Sequence, residues 1–414
     1  MRSLVAIAIV TSTSLAHAQS NAPGDANAIT LDRDTVLRLA QRQAPDVQVA
    51  RIRVRESDAL HVGARNWQLN PEIGLFGGPR WAARFLGFNG EVVPDVTLML
   101  TWPLDLTGVP SARVAYADAA TREANAAADE AGWIAAAEAL DLWMQAVGAA
   151  ARVEMARTRA TLDDALLSIA QGRRRAGTVG DGDVALATMV RAESEARIRT
   201  AEGELAALTE QLRARVALPS DATVRIAGTL DVTEPPALTT LLSGIVHRRD
   251  IVRAEQATHA FERDVVVQRR LGNVIPRFTV SGGRDNELYT HAQIDVPIPV
   301  YQRNQTHVAV SEARIATSTQ EREAALARAA GEVRAAYARY RSSVAAVNAF
   351  SAARSAIEDA EQLATRAYEL GQNDLAHAIT VRREVALVRS ADLDARISLA
   401  RARVAVDRAA GTLP

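Results

Sequence analysis

The chain has 414 residues, a formal net charge of −1 and no cysteine. Without cysteine, disulfides, thiolate zinc sites and cysteine nucleophiles are excluded, and the near-zero charge leaves no electrostatic footprint for nucleic acid. A chain of this length is long enough for two or three ordinary domains.

The first eighteen residues have the pattern of a secretory signal peptide. Arg2 gives a positive start, an apolar run follows at 4–10, and Ala16, His17 and Ala18 form a small-x-small cleavage site. No later apolar stretch reaches the roughly 18 residues that a transmembrane helix needs. We therefore expect an exported chain that can enter a membrane only as β-strands.

The remaining sequence reads as two copies of one unit. The segment "PLDLTGVPSARVAYADA" from Pro103 aligns with "PIPVYQRNQTHVAVSEA" from Pro297, an offset of 194 residues. Each copy predicts a helix, two strands, a long helix and a return helix. The predicted organisation is a signal peptide at 1–18, a first repeat at 19–217, an equatorial connector at 218–236 and a second repeat at 237–414.

Apolar residues recur at helical spacing through both copies. The pattern predicts uninterrupted helices over 111–171 and 304–370, the first roughly 90 Å long. An N-terminal helix is expected over 32–67. The predicted return helices cover 183–217, 237–271 and 378–410. The apolar stripes are narrow and rich in alanine, which indicates coiled-coil seams rather than one globular core.

Short strands with alternating polar and apolar residues precede each long helix. One apolar strand face carries Val96, Leu98, Leu100 and Trp102. Such alternation fits a barrel that is wet inside and apolar outside; an amphipathic sheet covering a soluble core is the alternative. Four strands cannot close a membrane barrel, for which about eight are needed, so a barrel would have to pool strands from several chains.

The order of elements, the duplicated halves and the segments "LTWPLDLTGVPSARV" and "IDVPIPVYQRNQ" resemble the TolC family of outer-membrane efflux channels. Within that family they are most similar to the heavy-metal cation-efflux (CzcC-like) branch. The resemblance implies a mostly α fold with a small β part, in which four transmembrane strands per chain continue into a long antiparallel helical tunnel. Three chains would form one twelve-stranded barrel. Pro103, Pro297 and Pro299 would mark the exits from strand to helix.

The resemblance also implies a function. The protein would be an outer-membrane duct with a tunnel that extends into the periplasm. It would release substrates that an inner-membrane pump delivers through a periplasmic adaptor, and heavy-metal cations are the leading candidate for these substrates. A drug-efflux duct and a type I secretion duct remain alternatives on the same fold, and a periplasmic coiled-coil adaptor is the alternative from another class. We expect no enzyme activity, no cofactor, no metal site and no nucleic-acid partner.

Two helix turns would form the periplasmic tip of such a tunnel. Gly177 and Gly371 are expected to serve the geometry of these turns. Arg173, Arg174 and Arg175 end the first long helix and are candidate contacts for an adaptor. Favourable positive charge at a helix C-terminus is the alternative explanation for this arginine run.

The resemblance assigns gate residues to the same tip. Asp183 and Tyr368 match residues that hold the gate shut in the family. Two acidic gate positions of the family fall here on His377 and Thr380, and its gate arginine falls on Asn373. Simple solvation of Asp183 and Tyr368 at helix ends is the alternative.

Overall fold

The computed structural model describes residues 28–66, 69–81, 92–284 and 288–413. The predicted signal peptide at 1–18 lies outside these residues. Across them the chain forms eight α-helices and six strands. The helices are α1 (Arg33–Gln43), α2 (Pro45–Arg65), α3 (Val109–Arg175), α4 (Asp181–Arg215), α5 (Leu238–Gly244), α6 (Arg249–Leu271), α7 (Gln305–Glu369) and α8 (Leu375–Ala410). The strands are β1 (Ala28–Leu31), β2 (Glu72–Trp81), β3 (Val92–Pro103), β4 (Thr223–Ile226), β5 (Arg277–Arg284) and β6 (Leu288–Asp295).

The two long helices dominate the molecule, as predicted. α3 has 67 residues and α7 has 65, so each extends for about 100 Å. Alanine is abundant in both, and proline occurs only at the second position of α3, where helices tolerate it. Within the described residues, no helix has the length and apolar character needed to cross a membrane.

Each long helix begins after a residue with left-handed backbone geometry. Gly108 has φ 71° and Asn304 has φ 61°. The Gly108 carbonyl accepts a hydrogen bond of 2.6 Å from Arg270, and the Asn304 amide donates at 2.8 Å to the carbonyl of Gln268. The end of α6 therefore fixes the direction in which both long helices start, a feature that the proline pattern did not predict.

The predicted single helix over 32–67 is wrong in one respect. The helical segment is broken at Ala44, because Pro45 cannot continue a helix from its interior and instead begins α2 at its first position. The chain also forms a strand, β1, before α1. β1 pairs in parallel with β4 from the predicted connector, which places Leu31 opposite Ile226.

The four remaining strands form one antiparallel sheet in the order β2-β3-β5-β6. Its register places Leu100 between Ile73 and Val280, so aliphatic residues face the same side. Thr101, between Glu72 and Thr279, belongs to the opposite face. The predicted alternation of the strands is confirmed.

The helices pack side by side as a wall. Nearest the sheet the order is α2-α3-α6-α7, and beyond the middle it is α4-α3-α8-α7. α3 therefore lies inside the wall along its whole length, with 22 buried residues, whereas α7 lies at an edge and has eight. The wall is open at α7 and at the opposite edge, formed by α2 and then α4.

The middle of the wall contains the main hydrophobic cluster. Leu31, from the first strand, and Leu413, next to the last residue, both belong to it, so the two ends of the described chain meet there. The indole Nε1 of Trp143 donates to the Leu31 carbonyl at 2.9 Å. Gly228 packs against the Trp143 ring so closely that a Cβ would overlap it. Residues far apart in sequence thus anchor the β1-β4 pair to α3.

Candidate functional site at the helix turns

The turns after α3 and α7 have the same backbone design. Gly177 has φ 73° and Gly371 has φ 74°, a conformation that favours glycine. In each turn this glycine and the next residue donate their N–H groups to two carbonyls in the last turn of the helix, the pattern of a Schellman motif. The glycines therefore stop both long helices at the same end of the wall, which agrees with their expected structural role.

Asp183 and Tyr368 lie next to each other at this end. The Tyr368 hydroxyl is 3.5 Å from Oδ2 of Asp183, which is a long hydrogen bond. The Tyr368 side chain is fully buried, packed among Leu166, Val190 and Leu375 in a small apolar cluster. The two residues are thus close to each other within one chain; whether they hold a gate shut remains a prediction.

Arg173 from the first turn covers Tyr368 from the second. Its guanidinium carbon lies 4.8 Å from the centroid of the Tyr368 ring, within the range of a cation–π contact. Its Nη1 donates at 2.8 Å to the Tyr368 backbone carbonyl. The family resemblance places the gate arginine at Asn373. The sequence did not predict that Arg173, from the other hairpin, would place a cation on Tyr368.

The environment of Tyr368 favours its neutral phenol. Burial raises the pKa of Tyr368, the Asp183 carboxylate raises it further, and the Arg173 guanidinium opposes both. The phenol therefore stays a hydrogen-bond donor at neutral pH. The polar contact combines the neutral phenol of Tyr368, the carboxylate of Asp183 and the guanidinium of Arg173. It links both α4 and α3 to α7.

The other two arginines of the run differ from Arg173. Arg174 forms an ion pair with Asp181 across the first turn, while Arg175 is exposed and has no hydrogen bond or ion pair within the described residues. Of the three candidates for an adaptor contact, Arg173 is engaged inside the chain. Arg175 is the one whose charge is open to a partner.

His377 and Thr380 lie on the exposed face of the first turns of α8. The His377 N–H is capped by Asp374 at 2.7 Å, and the Thr380 hydroxyl donates at 2.8 Å to the carbonyl of Ala376. Both side chains are therefore exposed on the single chain and take no part in the Asp183–Tyr368 contact. In the described part of the chain, no group of three or more His, Asp or Glu residues is placed to hold a metal ion.

The proline exits lie at the opposite end of the wall. Pro103 is the last residue of β3 and pairs with Arg277, after which Leu104 donates its N–H to the Pro276 carbonyl at 2.7 Å. Pro297 and Pro299 follow the end of β6. All three prolines are therefore at the strand ends nearest the long helices.

The sheet beside these exits presents an apolar face to the surroundings. Its largest exposed fractions are 85% for Leu288, 77% for Ile73 and 75% for Leu75. Further exposed residues of this face are Val96, Leu98, Leu100, Trp102, Val280 and Ile294. The opposite face carries mostly polar side chains from the same strands, including Thr97, Thr279, Gln293 and Asp295. Such a contiguous apolar patch requires a lipid or protein cover.

The comparisons with known proteins concern the fold. No protein-family model matches the sequence, and no curated protein matches it. Among solved structures, a chain of CusC, from crystal structures that describe folding and transmembrane channel formation, has a TM-score of 0.71 at 18% identity, covering 94% of this chain and 95% of that one.

This chain has the fold of outer-membrane channels. The Campylobacter jejuni outer-membrane channel CmeC has a TM-score of 0.71 at 15% identity, covering 92% of this chain and 85% of CmeC. The Vibrio cholerae outer-membrane protein VceC has a TM-score of 0.69 at 15% identity, covering 92% and 96%. The predicted fold of long helices with a small β part is thus confirmed over nearly the full length of these channels.

Proposed function

We propose that this protein is the outer-membrane exit duct of a tripartite efflux system, in which three chains form one twelve-stranded barrel above a continuous helical tunnel. One observation carries the proposal: a single chain combines an uncovered apolar sheet face and open sheet edges with a helical wall that is itself open at both sides. Each of these surfaces needs a partner, and a ring of three chains in a bilayer supplies all of them.

The sheet supports membrane insertion. β2 and β6 are its edge strands, and each leaves one row of backbone donors and acceptors without a strand partner in the chain. Hydrocarbon satisfies no hydrogen bonds, so strands in a bilayer must close into a barrel. The apolar face then meets lipid and the polar face lines a channel. Twelve strands, four from each of three chains, are enough for such closure.

The helical wall supports the same ring. α7 has far fewer buried residues than α3, although the helices have nearly the same length. A neighbouring chain that places its α2 and α4 edge against α7 would bury the remaining seam. The adaptor alternative lacks a use for the apolar sheet face, and the fold match to channels covers nearly the whole chain.

The proposed cargo is a heavy-metal cation, expelled by an inner-membrane pump through a periplasmic adaptor. The support is the similarity of the two proline-exit segments to the CzcC-like branch. Drug efflux and type I secretion are the competing assignments on the same fold. At the tip, we propose that Asp183, Tyr368 and Arg173 hold the duct closed, that Arg175 meets the adaptor, and that His377 and Thr380 occupy the two further gate positions.

The assembly is tested on the purified full chain. Native mass measurement in detergent should give three chains per particle, and planar bilayers containing the protein should show discrete conductance steps. A monomer that resists crosslinking and leaves the bilayer conductance unchanged would contradict the proposal.

The cargo is tested in cells that lack the gene. Sensitivity to zinc, cobalt, cadmium and copper salts should rise, and the wild-type gene should restore resistance. Sensitivity to antibiotics and detergents without any change toward metals would instead assign the protein to drug efflux. Loss of one secreted protein with unchanged sensitivities would indicate a secretion duct.

A further inference from the structure

A cleft of about 500 Å³ opens in the helical wall, away from the tip residues already described. It lies where α3 passes α8, with contributions from α4 and α7. Asp163 from α3 and Arg382 from α8 both line it. They lie 14 residues before Gly177 and 11 after Gly371, which is about 15–20 Å from the turns. The lining comes from one chain, so the cleft is complete without a neighbouring subunit.

The lining of the cleft carries excess positive charge. Six arginines and three carboxylates contribute to it. Arg152 pairs with two carboxylates outside the lining, Glu204 at 2.7 Å and Asp394 at 2.8 Å. With these two included, six arginines stand against five carboxylates, so one positive charge is left over. A negatively charged ligand would therefore improve the charge balance of the cleft.

Arg382 is the most buried arginine of the cleft lining. Its side chain is 8% exposed. Nη1 donates to the Leu162 carbonyl at 3.1 Å and lies 3.5 Å from Asp163, while Nε and Nη2 have no partner among the described residues. Burial lowers the pKa of Arg382, opposed by Asp163 and Glu361, and Arg159 and Arg389 lower it further.

Asp163 cannot neutralise Arg382 by itself. The same carboxylate accepts a hydrogen bond from the Ser194 hydroxyl and lies 3.7 Å from Arg159. Glu361 is engaged by Arg389 at 2.6 Å. The nearby carboxylates are thus shared or occupied, and the unused N–H groups of Arg382 remain as donors at the wall of the cleft. A planar guanidinium is the side chain best suited to grip a carboxylate or sulfonate through two parallel hydrogen bonds.

Part of the cleft lining is apolar. Met155, Leu162, Ala386 and Leu387 line the cleft beside the arginines, and Leu387 is 64% exposed at its mouth. An inorganic anion would leave these side chains without a partner. The volume is within the range of sites for drug-sized molecules, about 300–1,000 Å³.

We propose that this cleft binds an amphiphilic organic anion, with its carboxylate or sulfonate on Arg382 and its apolar body against Met155, Leu162 and Leu387. The site is separate from the Asp183–Tyr368 contact and does not require the chain to transport anything. It places a ligand between the hairpin of α3 and α4 and the hairpin of α7 and α8.

The test uses the full chain in lipid nanodiscs with naphthalene-2-sulfonate as the probe and empty nanodiscs as the blank. Calorimetry should show saturable binding of one probe per chain. The neutral analogue 2-naphthalenemethanol and inorganic sulfate should each bind at least about tenfold more weakly, because each supplies only half of the recognised chemistry. Equal binding of the neutral analogue, or no saturable binding of the sulfonate, would overturn the proposal.

Variants locate the binding. Arg382→Met should weaken probe binding at least about tenfold, whereas Arg334→Met, an exposed arginine on α7, should leave it unchanged. Leu387→Glu adds a negative charge at the mouth of the cleft without disturbing a buried residue, so it should weaken probe binding. It tests the site independently if Arg382→Met reduces the helix content. Wild-type affinity in both Arg382→Met and Leu387→Glu would contradict the assignment to this cleft. A failure here leaves the channel proposal intact, since the measurement involves no transport.

Discussion

Arg173 and Tyr368, 195 positions apart in the chain, form the most direct contact between the two helix turns. The guanidinium stacks on the phenol ring and donates to the backbone carbonyl of the same tyrosine. A hydrogen bond from a charged donor contributes about 1.5–3 kcal/mol, roughly twice the neutral value. The Tyr368–Asp183 bond is long, 3.5 Å. Arg173 is therefore expected to hold the two hairpins together more strongly than the phenol does.

The first prediction follows from this ranking. Arg173→Met should raise single-channel conductance in planar bilayers and sensitise cells to large antibiotics, because the contact between the turns is lost while the length of the side chain is kept. Tyr368→Phe, alone or with Asp183→Ala, should have the same direction and a smaller effect. In the bilayer measurement, which contains no adaptor, Arg175→Met is the matched control, with the same substitution two residues away on an exposed side chain. An equal rise in conductance for Arg173→Met and Arg175→Met would show that charge at the helix end matters and the contact does not.

The second prediction concerns high pH. Burial raises the pKa of Tyr368, Tyr340 and Tyr116. Well below about pH 10 the phenols are neutral in both the folded and the unfolded chain, so their ionisation does not reduce the free energy of unfolding. As the pH rises further, the unfolded chain loses these protons first, so stability falls.

Absorbance at 295 nm checks this titration. Tyr368, Tyr340 and Tyr116 should ionise late in the folded protein, and Tyr368→Phe should reduce the amplitude of this late phase. If Tyr368→Phe takes its amplitude from the early phase, Tyr368 is not buried as described.

The third prediction compares the equivalent helix starts of the two predicted repeats, at Pro45 and Arg249. Pro45 starts α2 after Ala44 (φ −52°, ψ 138°), and Arg249 starts α6 after Arg248 (φ −60°, ψ 144°). The backbone before Arg249 is thus already in the conformation that proline requires. Arg249→Pro should stabilise the chain by about 0.4–1 kcal/mol by restricting the unfolded state.

The control for this substitution is Val252→Pro, three residues further along α6. The Val252 N–H donates to the Arg248 carbonyl at 3.0 Å, so Val252→Pro should cost about 3 kcal/mol or more. Thermal melts followed by circular dichroism at a fixed scan rate give both values. A lower melting midpoint for Arg249→Pro than for the wild type would show that the equivalence of the repeats does not extend to this helix start.

The fourth prediction concerns the middle of the wall. Gly228→Ala should lower the melting midpoint clearly, because the added Cβ overlaps the Trp143 ring that holds Leu31; overpacking of this kind costs typically 1–3 kcal/mol. Gly244→Ala is the control, since a Cβ at Gly244 meets nothing within 4 Å and alanine favours the helix. Equal midpoints for the two variants would mean that the β1-β4 pair can move away from α3 without loss.

The sequence by itself determined the features that depend on local backbone preference. Uninterrupted alanine-rich runs predicted α3 and α7, Gly177 and Gly371 predicted where they stop, and the alternation through Leu98 and Leu100 predicted which strand face is apolar. These patterns act between residues a few positions apart, so they can be read without the fold. Asp183 and Tyr368 were found through a family resemblance, because no spacing rule connects residues 185 positions apart.

Only the tertiary structure decided which distant residues meet. The pairing of Ala28–Leu31 with Thr223–Ile226, the position of Arg173 over Tyr368, and the partly paired Arg382 in its cleft all depend on how the two hairpins pack. A short strand or an arginine at a helix end has many possible partners, and its own sequence favours none of them. Packing selects one partner, because it brings side chains from separate hairpins into contact and excludes the water that would otherwise solvate each one.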